Sequence, residues 1–276
     1  MKDLGKRIFF SLIAIVIVGG MIILAKYPYL SFLVALLASI IGALAAAEFI
    51  QMAKIKSFIL STRLLIGAVV IEIFSFFIAS HYLYLTKLPL IVFFLFALIL
   101  FISHLKDVDG AIPNISISIF SVIYIAIPIG MLLAIFHTPF ADGRWWVFYL
   151  IAVTKMNDIG GYFSGKIFGK KKLAESISPH KTIAGSIGGL ICAIVISLVF
   201  SFWSKETDIH FTLHFVPAVI LAVIFSVGAQ IGDLAESLLK RDAKIKDSST
   251  IPGVGGILDM LDSLIFNIPI LYFYLT

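Results

Sequence analysis

The sequence predicts an all-α, polytopic integral membrane protein, and three observations carry that prediction. The 276 residues are 61% hydrophobic and 13% charged, with 25 Phe and a mean hydropathy of +1.09, a composition outside that of soluble globular chains. The apolar residues come in runs of roughly 18 or more, the length a helix needs to cross a hydrocarbon core. The basic residues fall almost entirely on one side of those runs, as cytoplasmic retention of Lys and Arg requires.

Nine runs qualify as spans: about 8–25, 28–50, 63–84, 88–105, 113–137, 145–157, 183–203, 214–232 and 255–275. The first follows Lys2, Lys6 and Arg7 like a signal peptide, but no small-residue cleavage site and no soluble domain follow, so a retained span is expected. The sixth is short as counted and is expected to continue toward Gly161, carrying Asn157 and Asp158 into the protein interior. Of 21 Lys and Arg, alternating spans with a cytoplasmic N-terminus leave only Lys26, Lys87, Arg144 and Lys205 outside. Topology therefore accounts for the net charge of +5, and nucleic acid is not an expected partner. The one cysteine, Cys192, lies in an apolar run; no intramolecular disulfide is available and a packing role is expected.

Residues 1–137 read as a transmembrane scaffold and 138–276 as a catalytic transmembrane region with a cytoplasm-facing site. Gly42, Ala43, Ala45, Ala46 and Ala47 let scaffold helices approach closely. Glu48, near a cytoplasmic helix end, is expected to be an interfacial anchor. Glu72, in mid-span, either bonds a neighbouring helix or lines the interior. No convincing internal repeat is visible, which weakens a transporter built of inverted halves.

The charged stretch from Gln230 to Asp262 stands out, since charge at membrane depth costs at least ~2.5–3.5 kcal/mol per residue on insertion scales. Asp233, Glu236, Ser237, Lys240 and Arg241 stand at i, i+3, i+4, i+7 and i+8, on one helical face. A plain salt-bridged helix would give the same spacing. Then come Lys246 and Asp247, and a Gly-Pro turn containing Gly253, Gly255 and Gly256 ahead of a helix whose N-terminus favours anions such as phosphate. Asp259 and Asp262 follow at i and i+3 as the chain re-enters an apolar run. Hard carboxylate oxygens beside cations suit Mg²⁺-assisted phosphoryl or nucleotidyl transfer. No CxxC or HExxH pattern is present, so zinc is not expected.

A second segment runs from Asn157-Asp158 through Gly160, Gly161 and Gly165 to Ser178-Pro179-His180-Lys181-Thr182. Lys170, Lys171 and Lys172 within it either obey the positive-inside rule or touch anionic headgroups. Lys181 and Thr182, beside a Ser-Pro turn, could bind a phosphate. The six histidines are scattered, and His180 is the only one inside a motif-like segment.

These residues resemble the phosphatidate cytidylyltransferases, the CDP-diacylglycerol synthases. The family pattern S-x-x-K-R-x-x-x-x-K-D, a Pro-Gly-His-Gly-Gly loop and D-R-x-D is similar to Ser237-Leu238-Leu239-Lys240-Arg241, Lys246-Asp247, Pro252-Gly253-Val254-Gly255-Gly256 and Asp259-Met260-Leu261-Asp262. Upstream, Asp158, Gly161, Tyr162, Gly165 and Ser178 to Thr182 resemble the family's D-x-x-x-Y-F-x-G and S-P-x-K-T elements. The resemblance covers about the last 120 residues and implies that CTP and phosphatidic acid give CDP-diacylglycerol and pyrophosphate, with Mg²⁺ and with or without a monovalent cation. It implies that Asp233 and Asp259 hold the metal centre, supported by Asp262 and Glu236. Ser237, Lys240, Arg241, Lys246 and Asp247 would organise nucleotide and phosphates, with Lys181 and the Ser178 turn binding a phosphate. A multi-pass protein of the cell inner membrane and a homodimer are further implications.

The chain departs from the pattern at Val254 for His, Met260 for Arg, Ala184 for an acid, and a loop before Pro252 one residue short. Two polar contacts are thereby absent while the carboxylates and Lys240-Arg241 remain, which points to a divergent, metal-competent enzyme. A polyprenol kinase, an ether-lipid cytidylyltransferase and a cation-coupled transporter are the rival readings.

Overall fold

The computed structural model describes residues 19–58, 60–82, 85–105, 108–138, 142–204, 211–246, 248 and 256–276. Five described helices are long and apolar enough to cross a membrane, and a bent helix pair makes six. The first expected run lies mostly outside the described residues. The chain forms two compact units: residues 1–137 with 242–260, and residues 138–241 with 261–276.

In the first unit, helix α1 (Ser31–Ile55) packs on α2 (Thr62–His81). Contact is close because α1 presents small residues: a Cβ on Gly42 would collide with the Ile73 side chain, and Ala35, Ala38, Ala45 and Ala46 are buried. Glu72 of α2 is 2% exposed and faces the interior of this unit. Helix α3 (Leu88–Ser103) is shorter, at 16 residues. Helix α4 (Ala111–Phe136) is continuous but widens into a π turn at Val122–Ala126. Pro128 supplies the cause, since it has no N–H and its ring crowds the carbonyl four residues back, which the wider turn relieves. Gly130 of α4 leaves room for the Phe76 ring of α2.

The second unit begins with α5 (Gly143–Phe168), started by Asp142, whose carboxylate accepts the Arg144 N–H. The helix runs past Gly161 to Phe168, placing Asn157 in the interior at 3% exposure and leaving Asp158 partly exposed. A two-stranded antiparallel hairpin follows, β1 (Lys172–Ala174) and β2 (Ser178–Thr182), with Lys172 opposite Thr182 and Ala174 opposite Ser178. This hairpin was not expected from the sequence. Helix α6 (Ile183–Trp203) then runs back against α5. Glycines set the spacing: a Cβ on Gly160 would overlap Cys192, and one on Gly189 would press on Asn157. Cys192 is accordingly a packing residue.

Helix α7 (Phe215–Asp242) completes the frame, followed by α8 (Ile257–Ile265) and α9 (Asn267–Leu275). Tyr149 of α5 shares a 2.7 Å hydrogen bond with Ser197 of α6, and the Ser197 hydroxyl donates to Ala218 O of α7, also at 2.7 Å. The α8–α9 pair bends by 44° at Phe266. Asn267 holds the break, because its amide donates to Thr154 Oγ1 and Phe225 O at 3.0 and 2.9 Å. A Cβ on Gly232 of α7 would strike the Asp262 carbonyl, a backbone atom that cannot swing aside.

Gly232→Val should therefore destabilise the protein by about 1–3 kcal/mol or more, as overpacking does, and lower its melting temperature in detergent. Gly67→Ala, where nothing lies within 4 Å, should leave the melt unchanged or raise it.

Candidate functional site

The second unit contains a cavity of about 450 Å³ built from the end of α5, the hairpin, the start of α6 and the middle of α7. Asp158, Lys181, Thr182 and Asp233 line it together, although the sequence separates the first from the last by the hairpin and the whole of α6. Lys181 Nζ lies 2.6 Å from Asp233 Oδ2; the two side chains are 23% and 39% exposed with the Lys181 Nζ itself buried, and both residues line the cavity wall. Thr182 has a local task as well: its hydroxyl accepts the Gly185 N–H at 3.1 Å and caps α6. Gly161, Gly165 and Gly185 keep the α5–α6 side of the cavity free of side chains, and Lys166 and His180 add polar groups to its lining.

Asp158 pairs with Lys155 at 3.5 Å, one turn earlier on α5. Lys155 Nζ also donates to Ser263 Oγ of α8 at 3.1 Å, and Ser263 bonds Asp158. Asp262 lies near enough to Asp233, Lys155 and Asp158 for their charges to act on it. Three carboxylates from α5, α7 and α8 thus share one neighbourhood with Lys155 and Lys181. Among the described residues no three His, Cys, Asp or Glu side chains converge as a ready ligand set. Hard oxygens in partial excess over cations nevertheless fit Mg²⁺, which takes one or two carboxylates and fills its octahedron with water and phosphate oxygens.

Behind these groups lies a polar network that the sequence motifs do not mark. Ser226 Oγ donates to Asn157 Oδ1 at 2.7 Å, and Gln230 Nε2 donates to Ser226 Oγ at 3.1 Å and Ser186 O at 3.3 Å. Ser186 in turn donates to Gln230 Oε1. Asn157, Ser186 and Gln230 all reach the cavity. The available signal was the spacing Ser226, Gln230, Asp233, at i, i+4 and i+7 on one face of an otherwise apolar helix.

Other candidates from α7 sit apart from the cavity lining. Glu236 is fully buried and paired with Lys240, itself only 12% exposed. Ser237 is buried at 8% exposure. Arg241 is exposed and its Nε donates to Ile177 O at 3.2 Å, tying the helix end to the hairpin turn beside Ser178. One helical face thus divides into a cavity-facing carboxylate and an internal ion pair.

In the first unit, Lys246 is exposed. Asp247, Gly253 and Gly255 lie outside the described residues. Gly256 and Asp259 open α8: Asp259 Oδ2 accepts the Gly256 N–H at 2.6 Å and stands 3.1 Å from Ser248 Oγ. Glu48 completes the arrangement, its Oε1 accepting from Ile257 N at 3.0 Å and its Oε2 from Leu258 N at 2.9 Å. The helix N-terminus expected to face a phosphate therefore already holds two carboxylates of the chain. Glu48, expected to anchor at the interface, caps a helix 209 residues away.

A buried ion pair broken on one side leaves an uncompensated charge, at a cost of ~3–5 kcal/mol. Glu236→Ala should lower the melting temperature in detergent sharply, and the double variant Glu236→Met with Lys240→Met should recover most of the loss.

The pattern of the cytidylyltransferase family matches residues 5–276. The chain is 33% identical to the phosphatidate cytidylyltransferase of Chlamydia muridarum (strain MoPn / Nigg), over 98% of this chain and 92% of that protein. It is 34% identical to the protein of the same name from Chlamydia trachomatis serovar D, with the same coverage. Identity to the Bacillus subtilis (strain 168) protein of that name is 31%, over 100% of this chain and 99% of the relative.

Proposed function

The chain belongs to the cytidylyltransferase family, and from that premise we propose how its residues carry out the transfer of a cytidylyl group from CTP to phosphatidic acid. The reaction gives CDP-diacylglycerol and pyrophosphate, a step of phospholipid biosynthesis, and it takes place on a multi-pass membrane protein. A phosphatidate oxygen forms a bond to the α-phosphorus of CTP as the bond to the bridging oxygen of pyrophosphate breaks. No covalent enzyme intermediate is needed, so catalysis rests on positioning and on neutralising phosphate charge.

The observation that carries the reading is the cavity in which Asp158, Lys181 and Asp233 meet. Its volume of about 450 Å³ suits part of a nucleotide. Lys181, with Lys166 and His180 beside it, is placed to meet phosphate oxygens. In this proposal a triphosphate would compete with Asp233 for Lys181, leaving the Asp233 carboxylate available as a ligand. Mg²⁺ would be held by Asp233 and Asp262, with Asp158 close by and Asp259 one turn earlier on α8 assigned by its place in the signature. When bound, it supplies positive charge to the phosphates. Arg241 and the Ser178 turn it touches would border the substrate, and Glu236 and Lys240 would hold α7 in place beneath Asp233.

The proposed orientation places the N-terminus, the hairpin and the region around Lys246 in the cytoplasm, where CTP is available. Nine crossings satisfy the distribution of Lys and Arg. The short α3 and the polar-ended α5 would cross with the five long apolar helices, the bent α8–α9 pair and a first span before α1.

Purified protein with CTP, phosphatidic acid and Mg²⁺ in micelles should form CDP-lipid. Asp259→Asn should reduce the rate by ~100-fold or more, and EDTA should abolish it. Absence of product from well-folded parent protein would refute the reaction. For orientation, a Lys170→Cys probe in a Cys192→Ser background should react with an impermeant maleimide in inside-out vesicles and stay unlabelled in right-side-out ones.

A further inference from the structure

We propose that Glu48, on the scaffold helix α1, is a positioning residue for the acidic helix α8: it occupies the first helical N–H groups and so leaves Asp259 fixed in one orientation. The proposal rests on the reaction described above for its catalytic consequence, and on geometry alone for its structural part.

A helix opens with N–H groups that have no partner within the helix. In α8 these belong to Gly256, Ile257 and Leu258. Glu48 takes the second and third with its two carboxylate oxygens, at 3.0 and 2.9 Å. Asp259 takes the first by reaching back from the third helical position, at 2.6 Å, as the acid of a capping box does. Without Glu48 two N–H groups would be orphaned at a partly buried helix end, and the nearest anionic group is Asp259 on the same turn. Its carboxylate would then be divided among several donors.

Two further features fit this division of labour. The Ser248 hydroxyl lies 3.1 Å from both Glu48 Oε2 and Asp259 Oδ2, and its single hydrogen can serve only one of them at a time. It links the two acids at a fixed separation. Gly256 is also sterically required: a Cβ there would overlap Ser248 Oγ and press on Glu48 Oε2. The glycine that the signature assigns to a phosphate loop here leaves space for a carboxylate. Glu48 touches no reacting atom in this scheme; it acts through Asp259.

Hydrogen exchange and steady-state kinetics on Glu48→Gln test the proposal. Gln keeps one acceptor oxygen and turns an NH₂ toward the remaining N–H. Amide exchange across residues 257–262 should rise by about tenfold relative to the parent, kcat should fall by ~10- to 100-fold, and KM for CTP should stay within about twofold. Gly256→Ala, which removes no carboxylate and displaces Glu48 instead, should reproduce the exchange result; it carries the test if Glu48→Gln is not monodisperse. Unchanged exchange in both variants would overturn the cap. Raised exchange with unchanged kcat, or a loss confined to KM, would overturn the positioning role. If the parent makes no CDP-lipid the reaction fails on its own account, and exchange still decides whether Glu48 holds α8.

Discussion

A carboxylate carried into a lipid-facing chain must be matched by a cation or by hydrogen-bond donors, because desolvating it alone costs far more than folding can return. Four acids of the chain meet that demand in different ways. Asp233 faces Lys181 at a cavity wall, Glu236 is enclosed with Lys240, Asp158 shares Lys155 and Ser263, and Glu48 accepts two backbone N–H groups. The type of partner separates their roles. Glu48, matched by the backbone, and Glu236, matched by an enclosed lysine, are held in place, whereas Asp233, matched by a lysine at a cavity wall, can exchange that partner for a ligand.

The scaffolding around the acids follows from the same constraint. Helices in lipid gain little from hydrophobic association and rely on close packing and interhelical hydrogen bonds. Gly160 and Gly189 bring α5 and α6 together, and Gly232 admits the backbone at Asp262. Close approach then lets short polar side chains bridge helices directly, as Ser226 does with Asn157 and Ser197 with Tyr149. Loss of side-chain volume at the glycines is what gives the polar network its reach.

Helical membrane character and the identity of the charged segments were legible in the sequence, because both depend on local composition and on spacing along one element. The face shared by Asp233, Glu236 and Lys240 was correctly read as helical, but its division was not. Positions i and i+3 differ by about 60° around a helix axis, enough for one to meet a cavity and the other the interior. Contacts between distant segments left no local mark: Glu48 lies 209 residues from Ile257 and Asn157 lies 69 from Ser226. The hairpin was likewise hidden, since strands of three and five residues offer too short a window for alternation to show.

The helix bearing Asp259 and Asp262 has only nine residues, too few to be stable by itself in water or to cross a bilayer. Its geometry must come from its ends. At one end Glu48 and Asp259 satisfy the opening N–H groups; at the other, Asn267 fixes the bend by bonding Thr154 and Phe225. A longer helix would gain rigidity from its own ladder and would carry its acids deep among apolar neighbours. A short helix whose two ends are held takes its geometry, and that of the two carboxylates it carries, from the residues that hold those ends.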